Sequence, residues 1–164
     1  MYKRQVYYYP TSAAGKRAAD IIAENLKEIY PYPWLVKTVP TTRLGEVAKT
    51  RAPGVLIEFA YHDNLEDAEW IKANIAEIAA NVAYSLTDYF GIPFVLPQAP
   101  RRGTVVVRSG WLNIRQFPST ESQSIARAWN GDPIIVNGQW NNWYVVNFRG
   151  TVGYADSRYI RIPR

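Results

Sequence analysis

The chain has 164 residues, 48% hydrophobic and 20% charged, with no cysteine and a net charge of +5. That length allows one compact domain or two small ones, and the composition is that of a globular protein rather than a disordered one. Without cysteine there are no disulfides, thiolate metal sites or cysteine nucleophiles, no apolar run approaches membrane-spanning length, and no signal segment is visible.

The charge is unevenly placed. Residues 1–98 hold ten Lys or Arg against eleven acids, a balance of −1, whereas residues 99–164 hold nine Arg against three acids, a balance of +6. The change falls at Ile92–Gly103 (I-P-F-V-L-P-Q-A-P-R-R-G), whose prolines read as a linker. The expected division is therefore 1–91, a linker at 92–102, and 103–164.

Met1–Gln5 reads M-Y-K-R-Q, which is what GTG-TAT-AAG-AGA-CAG encodes when GTG serves as the start. That string is the tail of an adapter used in transposon-made sequencing libraries. These residues are expected to be an assembly artefact, excluded from fold reasoning, with the natural protein continuing upstream of Val6; an ordinary polar N-terminus is the alternative reading.

Val6-Tyr7-Tyr8-Tyr9-Pro10 reads as a strand entering a loop. Ser12 to Tyr30 is the clearest helix: Thr11 and Ser12 offer caps, Ala18, Ile21, Ile22, Leu26 and Ile29 recur at helical spacing, and Pro31 and Pro33 end it. Trp34–Val39 suggests a short strand, and Leu44–Thr50 one or two helical turns. Val55-Leu56-Ile57, punctuated by Pro53 and Gly54, is a continuous apolar run, the pattern of a strand covered on both faces. Glu58 follows without a break. A carboxylate ending a buried strand is costly unless it is paired or used, and strand ends in α/β sheets are where ligands bind. Pairing with Arg51 or Arg43 is one reading of Glu58, and a functional role is the other. Asn64, with Asp67 three residues on, opens a helix from Leu65 to Phe90, with a break near Asn74 and Gly91 past its end. Its stripe of Ile71, Ile75, Ile78, Val82 and Leu86 should cover one face of the strand holding Glu58. The first domain thus reads as α/β and incomplete.

The segment V-L-I-E-F-A-Y-H-D-N-x-E-D-A-x-W-I, from Val55, resembles the last strand and following helix of the zinc-dependent N-acetylmuramoyl-L-alanine amidases. These bacterial and phage enzymes cut the stem peptide off peptidoglycan. The resemblance runs from about Val6 to Gly91, and E-x-x-x-x-D-N is its most specific part. It implies that Glu58 is the catalytic general base, which then passes a proton to the leaving nitrogen. It also implies zinc held by two histidines and a glutamate from segments ahead of Val6. His62 is the single histidine here. Zinc is therefore expected in the intact parent and not in this chain, which by itself should not hydrolyse peptidoglycan. Arg43 and His62 are candidate substrate contacts at the cleft; each also reads as a solvated surface residue.

From Gly103 onward short runs alternate with turns: Thr104–Val107, Leu112–Arg115, Ile134–Val136, Trp143–Asn147 and Thr151–Ala155. Asn130-Gly131 and Asn137-Gly138 are turn dipeptides, and one helical turn is expected near Ser157–Tyr159. This pattern predicts a small all-β barrel. Residues 111–126 (W-L-N-I-R-Q-F-P-S-T-E-S-Q-S-I-A), 140–146 (W-N-N-W-Y-V-V) and 150–160 (G-T-V-G-Y-A-D-S-R-Y-I) resemble a bacterial SH3-like cell-wall domain. Such domains hold peptidoglycan hydrolases on the wall, so the implied partners are peptidoglycan and wall polymers at an extracellular location. The Arg residues are scattered rather than clustered, which argues against nucleic acid. Trp143, Tyr144 and Tyr154 read as barrel core. Trp140, Asn141 and Arg115 are candidate ligand contacts. The expected function is a peptidoglycan hydrolase of the amidase type, an autolysin or endolysin, truncated here; the alternative is a non-catalytic wall-binding protein.

Overall fold

The computed structural model describes residues 4–96 and 98–163. Met1–Lys3 of the expected artefact, Pro97 of the expected linker and Arg164 lie outside them. The chain divides into two compact units, Met1–Gly91 and Ile92–Arg164. The first is mixed α/β and the second is all-β, as the sequence periodicities predict.

Unit 1 runs β1 (Arg4–Tyr8), α1 (Ala13–Ile29), a single 3-10 turn at Pro33–Leu35, β2 (Val36–Pro40), α2 (Gly45–Ala48), β3 (Val55–Glu58) and α3 (Leu65–Phe90). The sheet order is β2-β1-β3, with β1 parallel to β2 and antiparallel to β3. Ser12 caps α1 by accepting from the Gly15 amide at 3.0 Å. Ala19, Ile22, Ala23 and Leu26 of α1 pack on Val6, Tyr8 and Val36, with Val55 and Ile57 beside them. Val6 pairs with Ile57 and Tyr8 with Val55, so these four share the α1 face. Gln5 pairs with Glu58 and Tyr7 with Leu56, which puts those four on the opposite face. The apolar run is therefore not covered on both sides: α1 takes alternate residues, and Leu56 is only half-buried.

Asn64 caps α3 by accepting from the Asp67 amide at 3.1 Å, and Gly91 closes it in the left-handed conformation at φ 66°. Asn74 interrupts the helix at φ −120°, ψ 20°, with its amide donating to the Trp70 carbonyl at 2.8 Å. The expectation that α3 covers the strand of Glu58 is corrected. Small α1 residues already occupy that face, and α3 lies along α1 instead. A polar seam joins the two helices: Asn25 donates to the Ser85 hydroxyl at 3.0 Å, and Asn81 donates to the Asn25 carbonyl at 2.8 Å. The first turns of α3 reach the sheet core, through Trp70 and through Asp67, which accepts from the Tyr30 hydroxyl and the Tyr61 amide, each at 3.2 Å. Arg4 and Gln5 form the start of β1, and the buried Arg4 pairs with Asp67.

Unit 2 runs β4 (Arg101–Val105), β5 (Trp111–Arg115), β6 (Ser124–Trp129), β7 (Pro133–Trp140), β8 (Trp143–Phe148), β9 (Thr151–Asp156), a 3-10 turn at Ser157–Tyr159 and β10 (Ile160–Arg161). Its strands follow the order β10-β4-β7-β8-β9-β5-β6, and adjacent strands are antiparallel. Val105, Leu112, Ile114, Ile134, Val136, Val146 and Phe148 form the core. Asn130-Gly131 does turn the chain, with Gly131 at φ 87°. Asn137-Gly138 does not: it lies inside β7, where the register shifts between Val136 and Gly138. A bulge absorbs the residue that a turn would have used. Gly138 is needed there because a Cβ would come within 2.7 Å of Val95, which packs on this strand. The reversals occur instead at Asn141 (φ 49°) and at Arg149-Gly150 (φ 53° and 88°). β6 has no strong sequence signal because its inward residues are only Ala126 and Ala128.

Candidate functional site

In unit 1 Glu58 ends β3, half-buried, on the face away from α1. Tyr7 is its neighbour on that face, and the Tyr7 hydroxyl also meets the side chain of Gln5. Burial, and then the charge of Glu58 with a smaller contribution from Tyr61, hold the Tyr7 phenol above its usual range. Glu58 thus sits in a polar group of Gln5, Tyr7 and Tyr61, and among the described residues it forms no ion pair with Arg51 or Arg43. Arg43 is exposed in the loop before α2, its amide donating to the Thr41 hydroxyl at 3.2 Å. His62 is exposed in the turn before α3. Among the described residues no group of three or more His, Asp or Glu could hold a metal ion. The side chains described therefore do not fit a zinc site.

In unit 2 a groove of about 630 Å³ opens along one side of the barrel. Its walls come from Val107 and Arg108 after β4, from Trp111, Asn113 and Arg115 of β5, from Trp143 of β8, and from Asp156, Arg158 and Tyr159. The size is that of a small-ligand or short-peptide site. β5 builds it by alternation: Leu112 and Ile114 point into the core, so Trp111, Asn113 and Arg115 face outward. Trp111 and Tyr159 are each 41% exposed. Arg127, across from Asn113 on β6, stacks 4.5 Å from the Trp111 ring centre, and Trp129 meets the same ring edge-on at 5.5 Å.

The polar groups are anchored from behind. The Trp111 indole N–H donates to Asn113 Oδ1 at 3.1 Å. The Ser124 hydroxyl lies 3.0 Å from the same oxygen and 3.1 Å from the Ala126 carbonyl. Because the indole nitrogen can only donate, the oxygen of Asn113 must face it. Arg115 Nη1 donates to the Ser122 carbonyl at 2.6 Å. Arg158 grips Asp156 through Nη2–Oδ2 at 2.6 Å and Nε–Oδ1 at 3.1 Å, and these bonds hold the Asp156 carboxyl below the usual carboxylate range.

Of the sequence candidates, Arg115 lines this groove. Trp140 and Asn141 do not; they sit at the β7–β8 reversal, both exposed. Trp143 and Tyr144 are half-buried and Tyr154 is buried. Sequence reasoning missed Arg108 and Asn113. The alternation in W-L-N-I-R carried a signal for Asn113, since the two apolar residues fix which side the others face.

The family model for the bacterial SH3 domain matches residues 110–161. No match was found among curated proteins. A solved structure, NlpC2 from Trichomonas vaginalis, is similar at 19% identity and a TM-score of 0.36, over 38% of this chain and 23% of that one. No described helix is long and apolar enough to cross a membrane. The all-β unit is thus matched along β5 to β10 by the bacterial SH3 domain, a match that supports a cell-wall-associated role for the chain.

Proposed function

We propose that the chain belongs to a peptidoglycan hydrolase of the N-acetylmuramoyl-L-alanine amidase type, in which unit 2 holds the enzyme on the wall. The observation that carries the anchoring role is the bacterial SH3 match over most of the residues that build the groove. The catalytic role of Glu58 rests on the resemblance of its segment. In support, Glu58 stands half-buried at the end of β3, on the same face as Tyr7. Zinc would belong to the intact parent.

Sedimentation with purified peptidoglycan tests the anchor. The full chain should pellet with the wall, and the chain lacking residues 103–164 should stay in solution. Equal retention of both would remove the role of unit 2. The chain itself should release no stem peptide; zinc-dependent release would overturn the reading that the metal ligands lie elsewhere. In a parent with those ligands, Glu58→Gln should lower turnover by about 10²–10⁴-fold.

The second reading, a non-catalytic wall-binding protein, is favoured by the lack of a metal-holding group among the described residues. It predicts that extending the chain upstream restores no hydrolysis.

A further inference from the structure

We infer that the groove of unit 2 recognises a free carboxylate on a short peptide, held jointly by the Asn113 amide and the Arg115 guanidinium. The inference deepens the wall-anchoring role proposed above and rests on it. Asn113 and Arg115 stand two residues apart on the outward face of β5, so their side chains are neighbours. Each is tied down on one side only. The Asn113 oxygen is taken by the Trp111 indole, which turns its NH₂ away from that contact. Arg115 spends one N–H on the Ser122 carbonyl. Among the described residues neither the Asn113 NH₂ nor the other N–H groups of Arg115 have a protein acceptor. Two oriented donor sets side by side, one of them charged, suit a planar group with two acceptor oxygens.

The charge around them agrees. Arg108 adds an exposed cation to the same groove, and the one acid there, Asp156, is already neutralised by Arg158. The local balance therefore favours an anion. Trp111, Trp143 and Tyr159 supply apolar wall beside the donors, where the carbon skeleton of a peptide can pack. A neutral sugar would gain the aromatic contacts and leave the arginines without a counter-charge.

The test titrates the full chain with a synthetic tetrapeptide carrying a free C-terminal carboxylate and with the same peptide amidated. Wall sedimentation is run in parallel. The amidated peptide should bind about tenfold more weakly, the scale of one charge-assisted hydrogen bond. Asn113→Asp keeps an oxygen for the Trp111 and Ser124 contacts and replaces the donor with a second acceptor. It should weaken binding of the free carboxylate by about tenfold or more and abolish the preference over the amide. Arg108→Gln should weaken the acid peptide by a smaller factor, whereas Arg102→Gln, the same charge change on exposed β4, should not. Equal binding of acid and amide, or an unaltered preference in Asn113→Asp, overturns the inference. So does competition by inorganic phosphate or a neutral glycan oligomer at the concentration of the acid peptide. Wall retention with no carboxylate preference sinks the inference alone; carboxylate preference without wall retention sinks the anchoring role alone.

Discussion

Gly153 of β9 shows how tightly a single position can be set. A Cβ there would approach the Arg115 carbonyl at 2.7 Å and Ile114 and Ile125 at 2.9 Å each. Backbone oxygen cannot move aside as a flexible side chain can, so Gly153→Ala should destabilise unit 2 by about 1–3 kcal/mol, read as a lower urea midpoint. Asp156 supplies a second residue-scale prediction. Its hydrogen bonds to Arg158 lower its folded-state pKa below 3.8. The stabilisation is present above the unfolded value and is lost as pH falls through the folded one. Asp156→Asn keeps a side-chain oxygen to cap the Ser157–Tyr159 turn but loses the charge that pairs with Arg158, so it should flatten the acid limb of the stability curve. Tyr7 behaves in the opposite sense. Its phenol is raised above 10.0, so its contribution is full below that pH and fades as pH rises through the folded value. Glu58→Gln should move its titration, followed by phenolate absorbance, back toward 10.0, because the charge that opposed ionisation has gone.

At the scale of elements, the α1–α3 seam decides how the helices of unit 1 lie together. Ser85 is fully buried, accepts from Asn25, and donates to the Asn81 carbonyl at 2.8 Å. Ser85→Ala leaves the half-buried Asn25 amide without that acceptor and should cost about 1 kcal/mol. Asn25→Leu combined with Ser85→Ala should recover part of the loss, because removing both partners leaves no orphaned donor. A double-mutant cycle in urea would read the coupling directly. The break in α3 was legible from Asn74, a weak helix former whose side chain competes for backbone. The partner of α3 was not legible. Its apolar stripe states that a face is buried, and says nothing of whether a strand or another helix buries it. The same limit explains Asn137-Gly138, where a dipeptide suited to a turn serves a bulge because the barrel needs β7 to continue to Trp140.

At the scale of the whole molecule, the charge asymmetry bears on the proposed hold on the wall. The +6 balance of residues 99–164 should make retention salt-sensitive. Raising salt from about 0.1 M to about 1 M shortens the screening length from ~10 Å to ~3 Å and should release much of the bound chain, measured by sedimentation. Persistent retention at high salt would assign the hold to the aromatic walls of the groove instead. Because the chain divides into two compact units, Gly153→Ala and Ser85→Ala should each perturb their own unit. Signals from unit 1 and unit 2 in two-dimensional NMR would separate the effects.

Local chemistry written in the sequence determined the helices, the two fold classes and the change at the proline-rich segment, because caps, periods of 3.6 and 2, and proline act over a few residues. It also supplied the segment on which the role proposed for Glu58 rests. Only the tertiary structure decided that Glu58 faces away from α1, that Arg115 and Trp140 do not share a groove, and that the amide of Asn113 is turned by an indole beside it. The first two depend on strand register and on side chains brought together across the sheet, and a one-residue change of register would reverse them; the third depends on two side chains of one strand sharing its outward face.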